Sequence, residues 1–329
     1  MPYRSSKGYS GWAQLGLLLL FTGAGLILAG VVQFMIGLQM IPSGQPLSKM
    51  GDAMVKAMMK PENVGYARLS QVIGTFFLFF FPAFMFLIIC HGRNSFWLGF
   101  NKYINARQVL IGFFLIFLAN IIAVPLADIS KNLLTHFPVL NTMAKQMEDS
   151  YAEQITVLSN LKSWGEFFMA IVIMAFFPAL FEEIFFRGAL QNLLEKWWKA
   201  PLIAVIVTSL LFSFIHMSLY LFLSRAVLGF ILGIMYQRSK NIGVNIIAHF
   251  LNNSVAVIQL FWLSRHEQKI EVDKLDPKFP LWLGLIAVAA TYGLFIIFKK
   301  ISDKNRNLIA FEEQNLIEKN EKLHFDNPQ

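Results

Sequence analysis

Long apolar runs interrupted by short basic connections set the pattern of this chain. A membrane-spanning helix needs about 20 predominantly apolar residues. Eight stretches meet that requirement, near 12–38, 68–91, 107–127, 166–195, 201–218, 220–237, 241–263 and 280–299. They predict an all-α fold, a polytopic transmembrane helical bundle of about eight spans. The first stretch is too long for the apolar region of a signal peptide and lacks a small-residue cleavage site, so it is expected to remain as an anchor.

The connections differ on the two sides. Arg4 and Lys7 precede the first run, Arg93, Lys102 and Arg107 separate the second and third, and Lys196 and Lys199 follow the fourth. Arg238 and Lys240 follow the sixth, and Lys299, Lys300 and Lys304 the eighth. With eight spans all of these fall on one side, which the positive-inside rule makes cytoplasmic together with both termini. The opposite side carries mixed-charge loops at about 40–66, 128–165 and 264–279. Within the first two, Met50–Lys60 and Thr142–Leu161 are amphipathic and predict surface helices, either solvated connectors or a lid over a site. The polar tail after Lys300 predicts a short helix that frays. The chain thus divides into N-terminal helices with surface loops (1–164), a core (165–262), an outer loop with the last span (263–300) and a tail (301–329).

Composition strengthens this reading. Of 329 residues, 56% are hydrophobic and 15% charged, 33 are phenylalanine, and the mean hydropathy is +0.54. A soluble domain is nearer 45–50% apolar and about 25% charged, so the excess must face lipid. The net charge of +8 sits in the connections rather than on one face, and no nucleic-acid-binding motif accompanies it. The lipid bilayer is therefore an expected partner and nucleic acid is not. The single cysteine, Cys90, excludes an internal disulfide framework and a cysteine-based metal cage.

Polar residues inside the apolar runs carry the chemistry. An Asp, Lys or Arg within a span costs about 2.5–3.5 kcal/mol by insertion scales, so such residues are rare unless paired or functional. The fourth run places Glu182, Glu183 and Arg187 among phenylalanines. Glu183 and Arg187 are one helical turn apart and can pair, while Glu182 points about 100° away. The fifth run holds Phe212 and His216, the seventh His249 and Asn253, each pair four residues apart. At about 1.5 Å per residue, Glu182 and Glu183 lie roughly 18–21 Å from the Lys196–Pro201 turn and His216 roughly 22 Å from it. His249 and Asn253 lie roughly 12–20 Å from the Arg238–Asn241 turn. All fall in one layer and can converge. Pro178 is expected to kink the fourth helix or break its hydrogen-bond ladder.

Such a set suits peptide hydrolysis by activated water. A carboxylate in an apolar pocket is a competent general base near neutral pH, and an asparagine amide with a histidine N–H supplies two oxyanion donors. Ser213 and Ser218 flank His216 without completing a Ser-His-Asp set.

The three motifs Glu-Glu-x-x-x-Arg, Phe-x-x-x-His and His-x-x-x-Asn, in this order over about 165–262, resemble those of the CPBP family. This is the CAAX-protease and bacteriocin-processing group, also called Abi, of intramembrane glutamic endopeptidases. The resemblance implies an intramembrane active site in which Glu182 activates water with His216, His249 and Asn253 stabilise the oxyanion, and Glu183 and Arg187 orient the first carboxylate. It implies no cofactor and a peptide or protein substrate that is itself membrane-associated. The expected setting is a multi-pass protein of a bacterial inner or plasma membrane. The residues also leave open a zinc protease, with Glu182 or Glu183, His216 and His249 as a His₂Glu set. Against zinc stand the missing His-Glu-x-x-His motif and Arg187 beside the acids. A non-catalytic immunity, scaffold or transport protein is the remaining alternative.

Overall fold

The structure is a computed structural model that describes residues 3–44, 46–158, 161–266 and 279–326. Apart from an isolated bridge between Arg4 and Ser10, the described residues form helices and their connections. The main helices are α1 (Gly11–Leu38), α2 (Leu47–Met58), α3 (Pro61–His91), α4 (Ala106–Thr135) and α5 (Pro138–Leu158). They continue with α6 (Trp164–Trp198), α7 (Pro201–Ile215), α8 (Phe222–Ser239), α9 (Ile242–His266) and α10 (Leu281–Asp326).

Each of the eight apolar runs falls on a helix. Six of these, α1, α3, α4, α6, α9 and α10, are long and apolar enough to cross a membrane. Helix α7 has 15 residues, about 22 Å of rise, short of the about 30 Å hydrocarbon core. Helix α8 has 18 residues and carries Arg225 and Arg238. The long helices expose apolar side chains outward: on α1, Leu19, Leu20 and Ile27 are 62%, 62% and 70% exposed. Water would penalise such a surface at every position, whereas lipid does not.

Outside the spans, both amphipathic segments form helices, displaced by a few residues from the expected bounds, as α2 and α5. Most of the third mixed-charge loop, residues 267–278, lies outside the described residues. The polar tail departs from expectation. It continues the last span as one helix to Asp326 rather than forming a separate short one. Its first turns dock on the start of α4 and the loop before it: Gln108 donates to Ser302 Oγ at 2.9 Å, and Asn305 donates to the Tyr103 carbonyl at 3.1 Å. Lys196 pairs with Glu313 at 2.6 Å. Those polar partners give the helix a side to bind beyond the apolar layer.

Helix α6 starts at a capping box in which Ser163 and Glu166 satisfy each other's backbone N–H groups. It then runs to Trp198 through two π-helical segments, Ile171–Phe176 and Ile184–Gln191. Pro178 follows the first of them. A proline removes a backbone donor and crowds the preceding turn, and here the wider π turn takes up the disruption. Helix α3 repeats the device, with a π segment at Phe76–Phe80 followed by Pro82. Phenylalanines of the two helices interlock, Phe79 against Phe185 and Phe186, Phe76 and Phe80 against Phe181.

Helix α8 packs against α6 and α7 through two glycines four residues apart. A Cβ on Gly229 would lie 3.2 Å from Ser209 Cα and 3.1 Å from the Phe212 ring. One on Gly233 would lie 2.8 Å from Val205 and 3.1 Å from Gln191 Oε1. This small-residue spacing lets helix backbones approach closely in a membrane. It also brings α8 carbonyls within reach of α6 side chains, which sets up the site.

Candidate active site

Arg187 and Gln191 lie one turn apart on α6, and both reach across to α8. Arg187 Nη2 donates to the Gly229 carbonyl at 3.1 Å, and Gln191 Nε2 donates to the Gly233 carbonyl at 3.0 Å. The Arg187 guanidinium also lies 4.7 Å from the centroid of the Phe212 ring, a favourable cation–π placement for a buried charge.

Glu183 is completely buried and fully engaged. Its Oε1 accepts from Arg187 Nη1 at 3.0 Å and faces His249 Nδ1 at 3.0 Å. Its Oε2 accepts from Asn245 Nδ2 at 3.1 Å. Asn245 Nδ2 donates as well to the Leu232 carbonyl at 2.8 Å. A carboxylate and a guanidinium this deep are tolerated because each is paired and hydrogen-bonded.

Glu182 has different surroundings. It is 8% exposed, and its Oε2 lies 3.9 Å from His216 Nε2. His216 is the residue that ends α7, followed by Met217 in the left-handed region at φ 51°. Its Nδ1 lies 2.6 Å from the Phe212 carbonyl. A carbonyl only accepts, so Nδ1 carries a proton, and the neutral form of the ring presents a bare Nε2 to Glu182. Two acceptors make no hydrogen bond to each other, and they stand 3.9 Å apart. A water beside the gap has two protons to give, one to each.

Asn253 lies one turn beyond His249 on α9. Its Oδ1 accepts from Asn252 Nδ2 at 3.4 Å, and Asn252 Oδ1 accepts from Asn120 Nδ2 of α4 at 2.6 Å. The structure thus joins five of the six candidate residues in two contact groups, Glu183–Arg187–His249 and Glu182–His216, with Asn253 held by its own neighbour. The contacts of Glu183 run to His249 rather than to Glu182, so Glu183 steadies α9 against α6. Asn245, Gln191 and the two α8 glycines were missed from sequence. Asn245 had a signal, a polar residue in the same apolar run four positions before His249.

Ser213 and Ser218 are occupied elsewhere. Ser213 Oγ donates to the Phe222 carbonyl at 2.5 Å, and Ser218 Oγ donates to Glu148 at 3.3 Å. Among the described residues no group of three or more His, Cys, Asp or Glu is arranged to hold a metal ion. Of the two carboxylates in the His₂Glu alternative, Glu183 is already engaged by Arg187, Asn245 and His249.

Fold and site together define a polytopic, all-helical integral membrane protein with a cluster of polar groups buried among its helices. Residues 164–255 match the family model described as type II CAAX prenyl endopeptidase Rce1-like. The match agrees with the family read from the three motifs, and all seven residues of those motifs lie inside it. The chain is also similar to the uncharacterized protein YpbD of Bacillus subtilis (strain 168), 29% identical over 109 residues. That alignment covers 31% of this chain and 53% of YpbD, so the chain spans about half the length of the curated relative it matches. No solved structure matches the chain.

Proposed function

We propose that the protein is an intramembrane endopeptidase of the CAAX-protease type that hydrolyses a peptide bond with water activated by Glu182. The observation that carries this reading is the placement of one buried carboxylate beside an imidazole nitrogen, 3.9 Å apart, next to a second carboxylate already engaged by three side chains.

Glu182 removes a proton from a water that also donates to His216 Nε2. The resulting hydroxide adds to the substrate carbonyl carbon and the π electrons move to oxygen. Asn253 contributes an oxyanion donor: its Oδ1 is engaged by Asn252, which leaves the Nδ2 end to donate. His249 offers its Nε2 on the ring edge opposite Glu183. To donate there, the ring needs its second proton, or the other tautomer with the shared proton on Glu183. Collapse of the tetrahedral intermediate expels the amine, which takes the proton held by Glu182. A general base of this kind contributes about 10²–10⁴-fold.

The family match supports a peptide or protein substrate, and the exposed apolar helices support a substrate that reaches the site from or beside the bilayer. Basic connections at the α6–α7 and α8–α9 turns support a topology with both termini cytoplasmic, and the likeness to a Bacillus subtilis protein supports a bacterial inner or plasma membrane.

The test is purification of the full chain and a variant, Glu182→Ala, with peptide cleavage read by mass spectrometry. Cleavage by the parent and none by an equally abundant variant is the expected result; cleavage by both overturns the reading. Exhaustive chelation should leave the rate unchanged. Loss of activity restored by zinc would replace the glutamate mechanism with a metal-dependent one. A non-catalytic immunity, scaffold or transport role predicts that the Glu182→Ala chain keeps full function in cells.

A further inference from the structure

Helix α5 lies across the His216 end of α7 and leaves a cavity of ≈ 450 Å³ whose wall includes His216. Pockets that hold small ligands or side-chain groups are of this order, about 300–1,000 Å³. Met143, Met147 and Tyr151 follow one another at four-residue steps along α5 and line it as a single stripe. Met217 lines it too, directly after His216.

An amphipathic helix ordinarily buries its apolar stripe. Here the residue buried on that helix is Ala144, while Met143, Tyr151 and Met217 remain 48%, 39% and 59% exposed. Gln146, Ser150 and Gln154 line the same cavity. Lipid does not explain such a face, because an amide placed in hydrocarbon without a partner costs kilocalories per mole. Plain solvation does not explain it either, because it leaves methionine and tyrosine in water. Apolar side chains alternating with amides and a hydroxyl suit an extended peptide, which offers both side chains and unpaired backbone N–H and C=O groups. Methionine adapts to apolar groups of varied shape. The lining includes no Lys, Arg, Asp or Glu.

The segment that follows His216 holds α5 in place. Ser218 donates to Glu148, Tyr220 Oη donates to Asn141 Oδ1 at 2.7 Å, and Arg225 lies 5.5 Å from the Tyr151 ring centroid. Arg225 Nη1 also donates to the His216 carbonyl at 3.0 Å. The same short stretch of chain therefore fixes both His216 and the wall opposite it.

We infer that this cavity is a substrate subsite, the place where an uncharged apolar side chain of an extended peptide sits next to the bond cleaved at Glu182 and His216. The inference rests on the endopeptidase reading for the cleavage and on the cavity itself for the binding.

The experiment takes the full chain in vesicles of phosphatidylethanolamine and phosphatidylglycerol. It uses a peptide library randomised around a central segment, read by mass spectrometry. The parent should cut beside uncharged apolar residues. Met147→Glu places a carboxylate in the stripe and should shift the preference toward Lys or Arg. The basic-to-apolar ratio of kcat/KM should change by about tenfold or more, the size of ordinary pocket discrimination. A damaged fold cannot produce that gain. An unchanged preference in an active Met147→Glu chain overturns the subsite. A second readout does not need turnover: photo-methionine peptides are cross-linked to the Glu182→Gln chain. Adducts between Met143 and Gln154, lost in Met147→Glu, support the subsite; adducts elsewhere or none overturn it. Cross-links on α5 without cleavage by the parent would remove the endopeptidase reading and leave peptide binding standing.

Discussion

Glu183 accepts from Arg187 and Asn245 and meets His249, all at 3.0–3.1 Å, whereas its neighbour Glu182 faces His216 at 3.9 Å. One residue of helix turns the side chain by about 100°, enough to move a carboxylate from the α8–α9 side of α6 to the end of α7. On one side both carboxylate oxygens are engaged and the group holds helices together. On the other, capacity is left for a water. Two identical side chains thus end up with different bonding through their surroundings alone, the kind of difference that separates the roles of paired carboxylates.

The largest expected effect comes from removing the carboxylate beside His216. Glu182→Gln keeps shape and polarity but cannot take a proton, so peptide cleavage should fall by about 10²–10⁴-fold. Thermal unfolding in detergent should be unchanged. A comparable loss of stability would mean that Glu182 is structural, like its neighbour.

Glu183→Ala should do the reverse first, leaving Arg187 buried without its counter-charge at a cost of about 3–5 kcal/mol. The double variant Glu183→Leu with Arg187→Met should recover much of that stability, since a buried pair can be replaced by packed apolar groups. Activity should not return with it, because His249 has lost its partner. Recovery of both would reduce the pair to a replaceable staple.

Asn245→Ala removes one donor from a buried carboxylate. It should lower stability by about 1.5–3 kcal/mol and slow cleavage less than Glu182→Gln does. Smaller still, Ser163→Ala breaks the capping box at the far end of α6 and should cost about 1 kcal/mol with cleavage unchanged. Any sizeable loss of activity there would mean that the two ends of α6 are coupled.

Most of the site stood out in the sequence because charge and amide groups are costly in apolar helices. Glu182, Glu183, Arg187, His216, His249 and Asn253 each interrupt an apolar run, and rise per residue placed them in one layer. Asn245, Gln191, Gly229 and Gly233 were not picked out. Glycine spacing on α8 has meaning only once it is known which helix lies against it. The π segments were equally invisible, since Pro178 or Pro82 is compatible with either a kink or a widened turn. The tail was misjudged for a related reason. Polarity after Lys300 reads as solvation, but Ser302 and Asn305 are spent on Gln108 and Tyr103.

Local spacing and hydrophobic length determined that the chain is an all-helical membrane bundle and that Glu183 pairs with Arg187 one turn away. Both properties belong to a single helix and its solvent, so no partner helix is needed to predict them. Only the tertiary structure decided that His249 turns its Nδ1 to Glu183 and that Glu182 is left facing His216. Those outcomes depend on how α7, α8 and α9 approach α6, and the close packing of Gly229 and Gly233 against α6 and α7 is part of what sets that approach.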